Sequence, residues 1–175
     1  QMALDKALPF YEDIPRMERE TRELLIEALL RFARLAQGIN IVLRPHPSEN
    51  HLFYVRLAAR LREEAARCRI ALPIREYFWD VLSTTDILVQ RTCITGYEAW
   101  HRGLPTLELR MNPKEWYASE DHAIACDVVT TAEEFGSRLR HYLAGARVPP
   151  EQDAVRPSLL GRQFGPLDGR AIERA

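Results

Sequence analysis

The chain has 175 residues, of which 46% are hydrophobic and 28% are charged, a composition typical of a folded globular protein rather than a disordered one. This length suits one domain and is enough to bury a hydrophobic core without disulfide or metal cross-links. The formal net charge of −1 gives no general support for binding to nucleic acid or to an anionic membrane. No apolar run approaches the length of about 20 residues that spans a bilayer, and no signal-peptide pattern is visible.

The predicted secondary structure alternates between helices and short apolar strands. Residues 1–20 are expected to be irregular because Pro9 and Pro15 interrupt helical patterns. The periodicity then predicts helices at 21–36, 50–67, 74–82, 97–102 and 131–144, and strands at 39–43, 70–72, 86–90, 106–109 and 127–129. The segment 39–43 has the pattern of a strand buried on both faces. Beyond residue 150 we expect a loop, followed by a final short helix at 168–174.

This alternation predicts an α/β fold with parallel strands joined by right-handed helical crossovers. We expect a Rossmann-like, doubly wound parallel sheet with helices on both faces over residues 1–150, followed by a C-terminal tail at 151–175. A first strand before the helix at 21–36 is not recognisable. Because the chain begins at Gln1 and lacks that strand, we expect it to be part of a longer protein.

Cysteine and histidine usage indicates the compartment and argues against a metal site. Cys68, Cys93 and Cys126 are an odd, widely spaced set without a C-x-x-C pair, which favours free thiols in a reducing, cytoplasmic compartment. None of the histidines shows metal-ligand spacing such as H-E-x-x-H, so we predict no bound metal.

Doubly wound sheets bind ligands at the carboxyl ends of their strands, and this rule selects the candidate residues. After the strand at 39–43, Arg44, His46 and Ser48 follow with prolines between them. Arginine offers a permanent planar fork of donors and histidine can hold or give a proton near neutral pH, so both can meet a phosphate. A turn in which His46 caps a backbone carbonyl is the structural alternative.

A second candidate group follows the strand at 86–90 and opens a helix, where free N–H groups and the helix dipole favour anions. Thr92 and Thr95 add hydroxyl donors, and Gly96 allows close approach to the backbone. Glu98 can accept hydrogen bonds from sugar hydroxyls or serve only to complement the dipole. No base and orienting group accompany Cys93, which argues against a cysteine nucleophile. The sequence has neither a P-loop nor a G-x-G-x-x-G motif.

These motifs in order resemble those of bacterial GT-B glycosyltransferases that build surface polysaccharides. The segment 41–47, ending Arg44-Pro45-His46-Pro47, is similar to their K/R-x-H-P strand end. The segment 92–105 resembles their S/T-x-x-x-G-x-E-A…G-x-P stretch, and 164–171 is similar to their D-G-x-A close. Capsule polysaccharide (Kdo-transferase-like) and related surface-carbohydrate biosynthesis proteins are the nearest in pattern. Cys93 and Ile94 depart from it, because hydroxyl residues are common there in the family.

The resemblance implies the C-terminal, donor-binding half of a metal-independent transferase for capsule or lipopolysaccharide assembly. It implies that His46 is catalytic and stabilises the leaving nucleotide, that donor phosphate is held by Arg44, Ser48, Thr92, Thr95 and Gly96, and that Glu98 and Pro73 meet the ribose and base. The nucleotide-sugar is a substrate, so no cofactor is expected, and the protein donors replace a metal's charge.

The implied partners are a nucleotide-sugar donor, a growing glycan or lipid-linked acceptor, and a missing N-terminal domain without which the chain would be inactive. Nucleic acid is not expected. The implied location is cytoplasmic, with peripheral association with the inner membrane as an alternative. Two other functions stay open: a nucleotide-sugar enzyme like UDP-N-acetylglucosamine 2-epimerase, and a non-catalytic nucleotide-binding or scaffold domain.

Overall fold

The computed structural model describes residues 8–47, 49–73, 75–113 and 119–170, which form an α/β protein with parallel strands. These residues divide into two compact units. The first unit comprises the described residues up to Leu25 and from Asp86 onward, and the second unit comprises Ile26–Thr85. Helix α1 (Leu8–Leu35) supplies residues to both. The predicted α/β class and the parallel strand pairing are confirmed.

The second unit is built on a pair of parallel strands, β1 (Asn40–Val42) and β2 (Arg69–Ala71), in which Ile41 pairs with Ile70. Helices α2 (His51–Glu64) and α3 (Phe78–Ser83) accompany them. Asn50 caps α2 by accepting a hydrogen bond from the Leu52 N–H at 3.0 Å. Apolar side chains from α1, from α2 and from the residues directly after β1 and α2 form the core, which contains Leu30, Ala33, Leu43, Leu57, Ala58, Leu61 and Ala65.

The first unit contains a three-stranded parallel sheet in the order β3 (Leu88–Gln90), β4 (Thr106–Leu109), β5 (Asp127–Val129). Its central strand β4 is buried at all four residues. The connections are α4 (Ile94–His101) and α5 (Glu120–Ala125), and α6 (Ala132–Leu143) and α7 (Pro150–Phe164) follow β5. Because the strands are parallel, the residues that follow β3 and β4 lie at the same edge of this sheet.

Helix α7 packs against α4 and α5 and closes a small apolar cluster of Trp100, Ala125, Cys126, Leu159 and Leu160. Arg156 on α7 is only 2% exposed. Its Nε donates to the Ala125 carbonyl at 3.0 Å, and its Nη1 donates to the Leu104 carbonyl at 3.1 Å. One buried guanidinium therefore connects α7 to the segment before β4 and to the end of α5.

Two predictions about the ends of the chain are wrong. Residues 8–20 are helical, with Pro15 inside α1. Met17 and Thr21 of that helix are buried, and this packing outweighs the hydrogen bond that proline removes. The expected loop after residue 150 is α7, in which Pro150 occupies the first helical turn where proline is favourable. Residues 168–170 are not helical, and 171–174 lie outside the described residues.

Two further predictions about individual elements also need correction. The strand at 39–43 is shorter than predicted, and β1 alternates between exposed and half-buried residues instead of being buried on both faces. The helix expected at 97–102 begins at Ile94. Helix α5 was not predicted. By contrast, β4 and β5 have the predicted bounds, and Thr131 caps α6 by accepting from the Glu134 N–H at 3.1 Å.

The cysteines are free thiols, as predicted. Cys126 is buried at the end of α5, and its Sγ donates to the His122 carbonyl at 2.8 Å. Burial raises the pKa of Cys126 to about 12. Cys68 in the second unit is half-buried, and burial raises the pKa of its thiol as well. No helix among the described residues is long and apolar enough to cross a membrane.

Candidate functional site

The β3–α4 connection (Arg91–Cys93) in the first unit is organised by Glu108, a residue of the neighbouring strand β4. Glu108 is 1% exposed. Its carboxylate accepts from the Thr92 N–H at 3.0 and 3.1 Å, from the Thr92 hydroxyl, and from the Gln90 side-chain amide at 2.5 Å. A buried carboxylate is tolerated only with such donors, because its desolvation is costly. The hydrogen-bond donors of Thr92 in the connection are thus already occupied by the Glu108 carboxylate, a group of the protein itself.

Gln90 extends this network by one more residue. While its amide N–H group donates to Glu108, its carbonyl Oε1 accepts from the Cys93 N–H at 2.6 Å. Between them Thr92 adopts φ = +38°, in the left-handed region that a β-branched residue rarely occupies. Such a conformation persists only where its surroundings enforce it. Here the enforcing contacts are the hydrogen bonds from Thr92 to Glu108.

His122 on α5 lies behind the first turn of α4. Its side chain is 2% exposed, its Nδ1 is 3.8 Å from Glu108 Oε2, and Tyr97 and Trp100 pack against its ring. Within the described part of the chain, neither ring nitrogen has a hydrogen-bond partner. Burial lowers the pKa of His122, although the charge of Glu108 acts in the opposite direction. The imidazole is therefore held in its neutral form near neutral pH.

Gly96 is buried against this histidine. A Cβ atom placed on Gly96 would lie 3.1 Å from His122 Nε2 and 3.2 Å from Gln90 Nε2. The space that the missing side chain leaves is therefore filled by two protein side chains. The close packing of α4 on the network accounts for the glycine in physical terms.

The first turn of α4 retains donors that this network does not use. Across the described residues, none accepts a hydrogen bond from the N–H groups of Ile94 and Thr95, as expected at a helix start. The half-buried Thr95 adds a hydroxyl group. Glu98, also half-buried, lies one turn further on, and burial raises the pKa of its carboxyl group. This arrangement can accept an anion at the helix start.

In the second unit, Arg44 connects the chain segments that follow the two strands. Its Nη1 donates to the Pro73 carbonyl at 2.9 Å, and its guanidinium lies 5.7 Å from the Phe78 ring centre. Arg44 is exposed and Pro73 is half-buried. The structure thus brings together two of the predicted donor-binding residues, one after β1 and one after β2.

The turn that carries His46 is held by Glu49. The Glu49 carboxylate accepts from the His46 N–H at 3.0 Å and from the Tyr54 hydroxyl at 2.6 Å, and the Glu49 N–H donates to the His46 carbonyl at 2.9 Å. His46 is exposed, whereas Pro45 before it is buried. The backbone groups of His46 therefore fix its position. Ser48, the other residue predicted here, lies outside the described residues.

The predicted site residues consequently fall into two groups: Arg44, His46 and Pro73 in the second unit, and Thr92, Thr95, Gly96 and Glu98 in the first. Sequence reasoning missed Gln90, Glu108, His122 and Glu49. One signal was available for Glu108, since a charged residue inside the apolar strand Thr106–Leu109 needs a buried partner. The described residues include no cluster of three or more His, Cys, Asp or Glu side chains able to hold a metal ion.

Comparison with protein-family models, with curated proteins and with solved structures finds no match to this chain.

Proposed function

We propose that this chain binds the phosphate of a nucleotide-sugar, as the donor-binding part of a metal-independent glycosyltransferase in capsule or lipopolysaccharide assembly. The fold expected on this proposal is the C-terminal, doubly wound half of a GT-B enzyme, and an acceptor-binding domain completes it. The observation that supports the proposal most is that the N–H groups of Ile94 and Thr95 at the start of α4 donate to no group of the described residues. They follow a parallel strand at its carboxyl end, where α/β proteins bind ligands.

The geometry of the first unit suggests which of its residues bind which part of the ligand. The N–H groups of Ile94 and Thr95 and the Thr95 hydroxyl hold a phosphate oxygen. Thr92 contributes indirectly, since its N–H and hydroxyl already donate to Glu108. Glu98 accepts a hydrogen bond from a sugar hydroxyl. Burial raises the pKa of Glu98, which disfavours its charged form, and a hydrogen bond from the ligand would offset this effect.

For the second unit, the proposal retains the roles that the motif resemblance implies. His46 stabilises the leaving nucleotide, and Arg44 assists it with those donors that Pro73 does not use. Stabilisation of developing phosphate charge by such donors is worth on the order of 10²-fold in rate or more. In the complete enzyme, His46→Ala should lower transfer by about that factor, and His51→Ala, an exposed histidine on α2, should not. Equal turnover of the wild type and of His46→Ala would contradict the role of His46 in stabilising the leaving nucleotide.

A binding assay tests the proposal directly on the 175-residue chain. Thermal shift and calorimetry with CMP, CDP, UDP and their sugar conjugates should reveal a stabilising ligand. Thr95→Val, which removes the hydroxyl at nearly constant shape, should weaken that ligand about tenfold, as expected for loss of a hydrogen bond to a charged group. Thr84→Val, an exposed threonine at the end of α3, serves as the control. No heat and no shift with any nucleotide would refute the proposal, and sugar epimerisation without an acceptor would favour the epimerase-like alternative.

A non-catalytic scaffold domain is the second candidate. It is favoured by one observation: Thr92 and Arg44, two of the predicted phosphate ligands, donate to groups of the protein itself. The same nucleotide panel distinguishes the candidates, because a scaffold that has lost its ligand would show no stabilisation.

A further inference from the structure

The buried network beneath the β3–α4 connection is larger than the local fold requires. Leu107 and Leu109 flank Glu108 in β4 and are apolar, as a central strand of a parallel sheet usually is. A carboxylate at the middle position must be desolvated and then compensated by hydrogen bonds, and its replacement by a well-packed apolar residue is often neutral or stabilising. Stability alone is therefore a weak reason for Glu108.

The compensation comes from the connection and from Gln90, the last residue of β3. Three of the donors, the Thr92 N–H, the Thr92 hydroxyl and the Gln90 amide, converge on Glu108, and Gln90 in turn accepts from the Cys93 N–H. These bonds hold Thr92 at φ = +38° and leave α4 to begin at Ile94. The side chain of His122 is 2% exposed, and its ring nitrogens have no hydrogen-bond partner among the described residues. It contacts the same network and the first turn of α4 at Gly96.

We propose that Glu108 is a positioning residue for the phosphate site. By accepting the donors of Thr92 and Gln90, it fixes the connection so that the N–H groups of Ile94 and Thr95 are already in place when the phosphate arrives. The inference rests on the proposed function, which it deepens by assigning the geometry of the site to a residue that does not touch the ligand. Arg110, whose Nε lies 3.8 Å from Glu108 Oε1, offsets part of the carboxylate's repulsion of a bound phosphate.

Preorganisation explains why the network would matter for affinity. A loop that must be ordered on binding lowers the affinity by the cost of ordering it. In Glu108→Gln, the amide keeps the shape of the side chain but is neutral and has one oxygen in place of two, so the donors of Thr92 and Gln90 share a single, weaker acceptor. The connection should then sample other conformations, whereas the rest of the sheet is unaffected.

The test compares Glu108→Gln with Asp127→Asn in the 175-residue chain. Asp127 is the matched control, because it is also a buried carboxylate in this sheet, but it accepts from Tyr142 and Gln152 instead of from the connection. Two quantities are measured for each variant: the amide hydrogen exchange of Thr92 and Cys93, and the affinity for inorganic pyrophosphate and UDP by calorimetry. Glu108→Gln should exchange these two amides at least tenfold faster and bind the wild-type ligand at least tenfold more weakly, and Asp127→Asn should change neither quantity more than twofold.

Each result decides a separate question. Wild-type exchange rates and affinities in Glu108→Gln would overturn the inference, and so would faster exchange with unchanged affinity, which would make Glu108 purely structural. A wild type that binds neither pyrophosphate nor any nucleotide of the CMP, CDP and UDP panel would instead refute the proposed function. Should Glu108→Gln fail to fold, Gln90→Met retains the carboxylate and removes the Cys93 acceptor, and it should speed exchange of Cys93 and weaken binding in the same direction.

Discussion

Replacing Arg156 by Met should destabilise the first unit by about 2–3 kcal/mol. The guanidinium makes two hydrogen bonds, to the carbonyls of Ala125 and Leu104 at 3.0 and 3.1 Å, and hydrogen bonds from charged groups are worth about 1.5–3 kcal/mol each. The gross loss is therefore about 3–6 kcal/mol. Part of it is recovered, because Arg156 buries a positive charge and its Nη2 has no partner within the described residues. Burial also lowers the pKa of Arg156, the expected sign for such a charge.

Urea unfolding followed by tryptophan fluorescence and circular dichroism measures this loss, since Trp100 packs in the same cluster. With a slope of about 2 kcal/mol per molar urea, the midpoint should fall by about 1 M. Arg162→Met on the same helix is the control: its ion pair with Asp121 is exposed and should contribute less than about 1 kcal/mol. An Arg156→Met protein as stable as the wild type would refute the view that these two carbonyls depend on the guanidinium.

Three more outcomes are expected. Gly96→Ala should lower the free energy of unfolding by about 1–2 kcal/mol, because a Cβ atom 3.1 Å from His122 Nε2 must displace a buried ring, which outweighs the helix-propensity gain of about 1 kcal/mol; a neutral or stabilising result would mean that His122 or α4 can shift. Asn50→Ala should lower stability by about 1 kcal/mol through loss of the α2 cap, whereas Asn50→Asp should retain it. Burial lowers the pKa of His122 from 6.5, so below this pH the unfolded chain binds a proton that the native state does not bind. The contribution of His122 to the free energy of unfolding should therefore be constant above pH 6.5 and fall on acidification by up to about 1.4 kcal/mol per pH unit. Urea midpoints at several pH values should show a smaller fall in His122→Leu, and an identical fall would exclude this histidine as the cause.

Much of the element order could be predicted because its signals are local. The strand at 106–109 is delimited by Pro105 and by polar residues beyond it, and the cap formed by Thr131 and Glu134 is a pattern within four residues. Two of the errors involve proline. Pro15 predicts an interrupted helix and the chain beyond Pro150 predicts a loop, yet Pro15 lies inside a helix anchored by buried side chains and Pro150 lies at a helix start. Whether a proline ends a helix depends on packing that the local sequence does not contain.

The candidate site was predictable only in its outline. Its place after β3 follows from the alternation of strands and helices, and so does the helix start near Thr95. The network beneath it was not predictable, because Glu108 follows Thr92 by sixteen residues and meets it only through the pairing of β3 with β4. The hydroxyl group of Thr92, expected to face a ligand, instead satisfies a carboxylate of the protein. A sequence shows which loop residues carry hydrogen-bond donors. Which acceptor each donor meets depends on the register of the neighbouring strands.

The thiols supply built-in reporters of how the two units lose their structure. Cys126 belongs to the first unit and Cys68 to the second, and burial raises the pKa of both. Because only the thiolate is alkylated, each cysteine should react slowly until its own unit opens. Pulsed alkylation in increasing urea, read by peptide mass spectrometry, would therefore give one opening curve for each unit. Coincident curves would identify a single cooperative transition, and separated curves would show that the chain melts in two stages.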